Sequence, residues 1–328
     1  MASGGNQAIL CDDMGISSKT FKRWKLEKVD KREGPLTRLA NKLTNTEKEE
    51  IIKISTSKEF MDLPPCQIVP RLADQGKYVA SESSFYRVLR EFKLLHHRGK
   101  AKKKSSHRES SLIATGPNQI YSWDITYLRG PIKGQFYYLY MFMDIFSRKI
   151  VGYEVHENEC NIKASNLIED ICEKEGVKGK NIVLHSDNGG PMKGLTMLAM
   201  LYSLGITPSF NRPSVSNDNP FSEPLFRTLK YCPTYPKEAF GGQEEARSWV
   251  KSFVDWYNNS YFHSGIKFVT PSNRHQNNDV KILLSRKKVY ETAKEKNPLR
   301  WSKNIRNWDY VTKVYLKKVE KIEFKKVS

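Results

Sequence analysis

The run Asn181-Ile182-Val183-Leu184-His185, cut off by Ser186-Asp187-Asn188-Gly189-Gly190-Pro191, constrains this chain more than any other stretch. A short apolar run stopped at once by two glycines and a proline predicts a buried strand ending in a turn. Asp187 then sits just past the strand's C-terminal end, the position where open α/β sheets build their sites. A second acid, Asp124, lies inside Tyr121-Ser-Trp-Asp-Ile-Thr-Tyr-Leu-Arg129, where Trp123, Ile125, Tyr127 and Leu128 are strand formers. A carboxylate on a largely buried strand needs a partner, and carboxylate oxygens are what hard cations such as magnesium select.

A third acid follows the polar loop Arg212-Pro-Ser-Val-Ser-Asn-Asp-Asn-Pro220. Asn219 as N-cap and Pro220 at the first helical position predict a helix that carries Glu223 in its first turns, early enough for Pro224 to be tolerated. At 100° per residue, Arg227 and Lys230 lie within about 40° of Glu223, so one helix face presents a carboxylate followed by two cations. That face suits a metal next to phosphates. Three unrelated surface acids are the bland alternative, but a strand, a strand end and a helix start are separate elements that can converge. Asp144, before the Phe146-Ser147-Arg148 turn, reads as a turn residue, and Asp218 as a holder of loop geometry.

From Asn118 the elements read β-β-β-α-β-α-β-α. The strands are those of Asp124, Gln135–Phe146, Lys149–His156, Asn181–His185 and Ile206–Phe210, with helices at Asn161–Glu175, Met192–Leu204 and around Glu223. Ala164, Leu167, Ile168 and Ile171 form an apolar helical stripe, and the Met-rich stretch 192–204 reads as core packing. A last helix, Glu244–Asn259, carries Trp249, Val250, Phe253, Val254 and Trp256 towards the sheet. Three meandering strands joined to two parallel ones by crossover helices suit a ribonuclease-H-like fold: α/β, a mixed five-stranded sheet with helices on both faces.

With 35 residues between Asp187 and Glu223, the three acids resemble the D,D-35-E signature of retroviral-integrase-like transposases. More closely, WDITYL, DIFSRKIVG, LHSDNGGP, SNDNPFSE followed by LK, and WYNNSYFHSGI with TPS resemble transposases of the bacterial insertion-sequence family numbered three. The similarity runs from roughly Trp24 to Trp308. One departure is visible: the family pattern carries an Arg three residues after the Asn of its Tyr-Asn pair, where this chain has Tyr261. The resemblance implies an integrase catalytic core in which Asp124, Asp187 and Glu223 are catalytic and hold two magnesium ions, with manganese able to substitute, roughly 3.5–4 Å apart. It implies cleavage at the element's ends and joining of 3′-OH ends to target DNA through a circular intermediate. Lys230 and Arg227 would position phosphate, Asn188 and Gly189 shape the strand-end turn, and His185 or Ser186 orient Asp187. The partners implied are DNA, as terminal inverted repeats and target, and further copies of the chain as a homodimer or higher oligomer.

Charge supports the DNA reading. The formal net charge is +19 over 328 residues. Residues 1–112 hold 23 Lys+Arg against 14 Asp+Glu, residues 281–328 hold 15 against 5, and the segment between holds 17 of each. A neutral core between basic arms fits a catalytic domain carried by DNA-gripping modules, because phosphate neutralisation supplies most sequence-independent affinity. No apolar stretch approaches the length of a membrane span and no signal-peptide pattern opens the chain, so a cytoplasmic, nucleoid-associated protein is expected. Cys11, Cys66, Cys160, Cys172 and Cys232 show no CxxC pair and no His at zinc spacing, and read as free thiols.

The flanks divide as follows. Residues 1–35 read as a partial helix-turn-helix and linker: Asp12–Trp24 resembles the second half of such a unit, with Lys22 and Arg23 on the recognition helix, and a capped basic surface helix remains an equal alternative. Residues 36–95 read as an all-α helix-turn-helix domain with helices at Thr44–Ser55, Cys66–Asp74 and from Ser81, the third presenting Arg87 and Arg90 to DNA. Residues 96–117 form a basic linker whose Lys102, Lys103 and Lys104 lie along DNA or solvate a tether. Residues 118–278 are the catalytic domain and 279–328 a small basic C-terminal domain. There Lys281–Glu295 reads as a helix, and Trp301, Trp308, Tyr310 and Tyr315 read mostly as a small β core, with base stacking as the alternative.

A nuclease on the same fold would share the carboxylates but cut without joining. A DNA-binding regulator derived from a transposase would tolerate an altered carboxylate, and all three acids are intact.

Overall fold

A computed structural model of the chain describes residues 7–26, 42–95, 112–187, 189–211, 220–301 and 303–316. Two compact units divide it, Met1–Leu43 and Thr44–Ser328. In the first, α1 (Gln7–Asp13) and α2 (Ser18–Leu26) are joined through Gly15, whose φ of +62° is the left-handed conformation a tight turn needs. Lys22 and Arg23 are exposed on α2.

The second unit opens with α3 (Asn45–Ser55), α4 (Pro65–Asp74) and α5 (Glu82–Glu91). Thr44 and Glu47 form a reciprocal capping box at the start of α3, with N···O distances of 3.0 and 2.7 Å, and Ser81 caps α5 by accepting from the Ser84 N–H. Ile51, Ile68, Val69, Leu72, Phe85, Val88 and Leu89 are buried, while Arg87 and Arg90 stay exposed on α5.

The sheet follows. β1 (Ile113–Ala114) precedes β2 (Ile120–Arg129), β3 (Phe136–Asp144) and β4 (Ile150–His156); after α6 (Asn161–Lys174) come β5 (Val183–Ser186), α7 (Gly190–Lys193), α8 (Leu195–Ser203) and β6 (Thr207–Phe210). Then come α9 (Ser222–Lys230), α10 (Gln243–Asn259), α11 (Pro271–His275), α12 (Asp279–Lys296) and β7 (Val314–Tyr315). The five-stranded sheet has the order β4-β3-β2-β5-β6, antiparallel across its first three strands and parallel across β2, β5 and β6. This is the mixed, ribonuclease-H-like arrangement expected from the sequence.

Alternation along the strands sends side chains to two cores. On one face Tyr121, Trp123, Tyr140, Phe142 and Leu184 pack under α6 and α8, with the Trp123 and Phe142 rings stacked 4.9 Å apart. On the other, Leu128, Leu139, Met141 and Met143 pack under Leu225 and Leu229 of α9 and Val250, Phe253 and Tyr257 of α10. The sheet is therefore covered by helices on both faces.

Three expectations change in detail. The helix read across 192–204 is broken into α7 and α8 at Gly194, which takes an extended ψ of 139°, and the Asn161 side chain packs where a Cβ would stand, so only glycine fits there. The Glu223 helix starts at Ser222 rather than Pro220, with Phe221 at its N-cap and no side-chain cap. Among the described residues the alternating C-terminal sequence makes the two-residue β7, paired antiparallel with β1. Its neighbours are spent on the rest of the unit: Val314 and Leu316 join Ile145 and Phe146, Trp301 stacks on Tyr78, and Trp308 meets Tyr290 edge-on. All five cysteines are free thiols, and among the described residues no helix is long and apolar enough to cross a membrane.

Candidate active site

Register brings the two aspartates together. Ser122 of β2 lies beside His185 of β5 in the parallel pairing, so Asp124 and Asp187, each two residues further on, emerge side by side. Because Ser122 and Asp124 share the face opposite Trp123, both point to the side covered by α9 and α10. Glu223 is the second residue of α9, and Leu225 and Leu229 bury the helix's inner stripe against β2 and β3.

Electrostatics ties the three acids together. Burial pushes the Asp124 carboxyl up to about 7, opposed by a hydrogen bond from the Ile125 N–H (2.8 Å) and reinforced by the charges of Asp187 and Glu223. Asp187 Oδ1 accepts from the Gly189 N–H at 2.9 Å, which fixes the strand-end turn, and the Ser186 hydroxyl donates to the Asp187 carbonyl oxygen. His185 is fully buried and its Nδ1 meets the Ser209 hydroxyl of β6 at 3.0 Å. Three carboxylates gathered on one side of the sheet offer only oxygen donors, the set a hard divalent cation takes. Among the described residues no three His, Cys, Asp or Glu side chains form a ready-made cage, so the acids share one side of the sheet and a common charge but no closed set of ligands.

Arg227 and Lys230 are exposed on α9, the Arg227 guanidinium 5.8 Å from the Tyr231 ring centre. Asp144 is fully buried and serves the β3–β4 turn, accepting from the Asn118 N–H, the Ser147 N–H and the Ser147 hydroxyl. Lys22 and Arg23 belong to the other unit, and Arg87 and Arg90 to α5, a separate element from the acids. Asn188, Lys102, Lys103, Lys104 and Asp218 lie outside the described residues.

Two contacts escaped the sequence reading. The Ser122 and Ser222 hydroxyls share a buried hydrogen bond of 3.0 Å, and the Arg148 guanidinium lies 4.1 Å from the centre of the Phe221 ring. The available signal was local: Ser122 shares a strand face with Asp124, and Ser222 directly precedes Glu223.

Residues 114–216 match a family model described as integrase core domain, and residues 204–271 match a second with the same description. The transposase for insertion sequence element IS904 of Lactococcus lactis subsp. lactis (strain IL1403) is 28% identical over 159 residues, covering 48% of this chain and 61% of that protein. The putative transposase InsK for insertion sequence element IS150 of Escherichia coli (strain K12) is 27% identical over 158 residues, 48% of this chain and 54% of its own length. This chain thus spans little more than half the length of these curated relatives. Among solved structures, the HTLV-2 integrase catalytic core domain in complex with magnesium is similar at 18% identity and a TM-score of 0.34, over 49% of this chain and 97% of that one.

Proposed function

We propose that this chain, matched by integrase core domain models over residues 114–216 and 204–271 and similar to insertion-sequence transposases, is a transposase acting on DNA by phosphoryl transfer. The reaction is strand cleavage at the ends of an insertion sequence and transfer of the resulting 3′-OH to a target strand. The observation that supports the reading is the parallel β2–β5 register that sets Asp124 and Asp187 side by side on the sheet face covered by α9, near enough to Glu223 that burial of Asp124 is reinforced by the charges of both other acids.

Asp124, Asp187 and Glu223 are the residues that would hold two magnesium ions, which when bound activate the attacking hydroxyl and stabilise the leaving oxygen. The chain's own contribution is placement. The parallel β2–β5 register fixes the two aspartates relative to each other, and the buried stripe of α9 fixes the rotation of Glu223. One and two turns along the same helix face, Arg227 and Lys230 supply cations for the phosphates on either side of the scissile bond. Exposed Arg87 and Arg90 on α5 and Lys22 and Arg23 on α2 are the groups proposed to grip DNA outside the core. Two ends must meet for joining, so the acting species is a homodimer or larger assembly.

The test pairs wild type with Glu223→Gln on labelled duplexes bearing the terminal repeats, in magnesium or chelator, scored for nicked and joined product. Gln keeps the size and removes the charge, so product falls on the order of 10²-fold or more. Joined product from wild type in magnesium supports the reading. Nicking without joining points to a nuclease, and binding without chemistry to a regulator.

A further inference from the structure

α9 begins without the usual local device. Its N-cap is Phe221, in helical conformation and with no side-chain hydrogen bond to the first turn, so among the described residues no side-chain cap sets where Glu223 starts. The apolar stripe through Leu225 and Leu229 sets the rotation of the helix against the sheet, and apolar packing is non-directional. Two directional contacts converge on the residues just before Glu223. The Ser222 hydroxyl is hydrogen-bonded to that of Ser122, which stands on the same strand face as Asp124 and two residues before it. Phe221 lies under the guanidinium of Arg148, whose Nη1 donates to the Ile145 carbonyl at 2.7 Å and so anchors the stack to the β3–β4 turn.

We propose that Ser122 and Ser222 are positioning residues that set Glu223 at a fixed height against Asp124, with the Arg148–Phe221 stack as the second anchor. The inference rests on the metal-dependent reading of the three acids and deepens it. Each serine is fully or almost fully buried, and a hydrogen bond between two buried hydroxyls has a definite length and direction that apolar packing lacks. The hydrogen bond ties the strand that carries Asp124 to the helix that carries Glu223, the two residues that would share a cation.

The test measures Mn2+ binding to the full chain by titration of free ion, alongside the melting temperature in chelator, for wild type, Ser122→Ala, Ser222→Ala, the double alanine, Ser122→Thr and Glu223→Gln. Single alanines break this hydrogen bond while keeping one of the two buried hydroxyls and can lower stability, whereas the double variant removes both and keeps the fold intact. In the double variant the half-saturating Mn2+ concentration rises about 10-fold or more, as for other groups that orient metal ligands, with little change in melting temperature. Ser122→Thr, which keeps the hydroxyl on a strand that tolerates β-branching, returns binding towards wild type. Unchanged Mn2+ binding in the double alanine overturns the proposal, and so does a Ser122→Thr variant as impaired as the double alanine. Unchanged binding in Glu223→Gln removes the metal-site reading itself and this inference with it. A shifted Glu223→Gln curve beside unshifted serine variants removes this inference alone.

Discussion

Asp124 is held where a carboxylate is costly. It is largely buried among strand neighbours, accepts one backbone hydrogen bond, and faces two further acids, and burial with those charges drives its proton affinity up. A side chain kept at such a position against its own stability marks a functional site more strongly than an acid in a salt bridge does. Asp124→Asn relieves the repulsion while keeping the shape, so in chelator at pH 8 its melting temperature should exceed that of wild type by roughly 2–4 °C for each kcal/mol relieved. The same variant should lose the rise in melting temperature that magnesium gives wild type. A lower melting temperature in chelator would mean the carboxylate is satisfied as it stands. At this scale the acids were legible, because an acid among strand formers and an acid before Gly-Gly-Pro both stand out locally. The Ser122–Ser222 pair was not, since its members lie 100 residues apart and a serine carries no signal of its partner.

Elements are joined by polar networks as much as by their apolar faces. At the C-terminus of α6, Glu175 accepts from Lys149 Nζ at 2.6 Å and pairs with His275 Nε2 at 3.0 Å. His275 Nδ1 in turn meets the Ser147 hydroxyl at 2.9 Å, and that hydroxyl donates to Asp144. The chain of contacts ties the β3–β4 turn, α6 and α11 together. Burial alone would raise the Glu175 carboxyl, but the hydrogen bonds from His275 and Lys149 outweigh it and hold the group down at about 2 against an ordinary 4.5. A carboxyl with a depressed folded-state pKa stabilises the fold above its unfolded value, and that contribution is lost as pH falls from about 4.5 towards 2. Wild type should therefore exceed Glu175→Gln in unfolding free energy by on the order of 2–3 kcal/mol at pH 7, with the gap closing below pH 4.5. Denaturant midpoints of the two proteins at pH 7, 4.5 and 3 measure it, and a gap independent of pH would rule out the ionised carboxylate as its source. Element identity was legible from periodicity, while element ends involve distant contacts: the break at Gly194 sits against Asn161, and the residues that open α9 meet Ser122 and Arg148.

Across the larger unit, arginine does the joining that no sequence pattern announces. Arg286 of α12 is fully buried and makes a bidentate pair with Asp74 at the end of α4, at 2.5 and 2.7 Å, while also donating to the carbonyls of Lys267 and Phe268. Arg300 pairs with Glu47 of the α3 capping box, and Arg306 with Glu82 at the start of α5. The C-terminal stretch therefore reaches all three helices of the α3–α5 group and ties them to the rest of the unit, contacts that its reading as a small basic domain did not include. Removing Arg286 strands Asp74 and opens a cavity beside Trp308, over which the guanidinium lies 5.2 Å from the ring centre. Because Asp74 keeps some access to water, Arg286→Ala should cost about 3 kcal/mol, the lower end for a broken buried pair, and Arg286→Lys should recover little of it, since one ammonium cannot reproduce the fork. The loss should be local before it is global. Hydrogen exchange of α4 amides should accelerate in Arg286→Ala under conditions where β2 and β3 remain protected, because α4 then opens without the sheet. Equal acceleration in α4 and the sheet would show instead that the two unfold as one cooperative body and that Arg286 stabilises the whole rather than the junction.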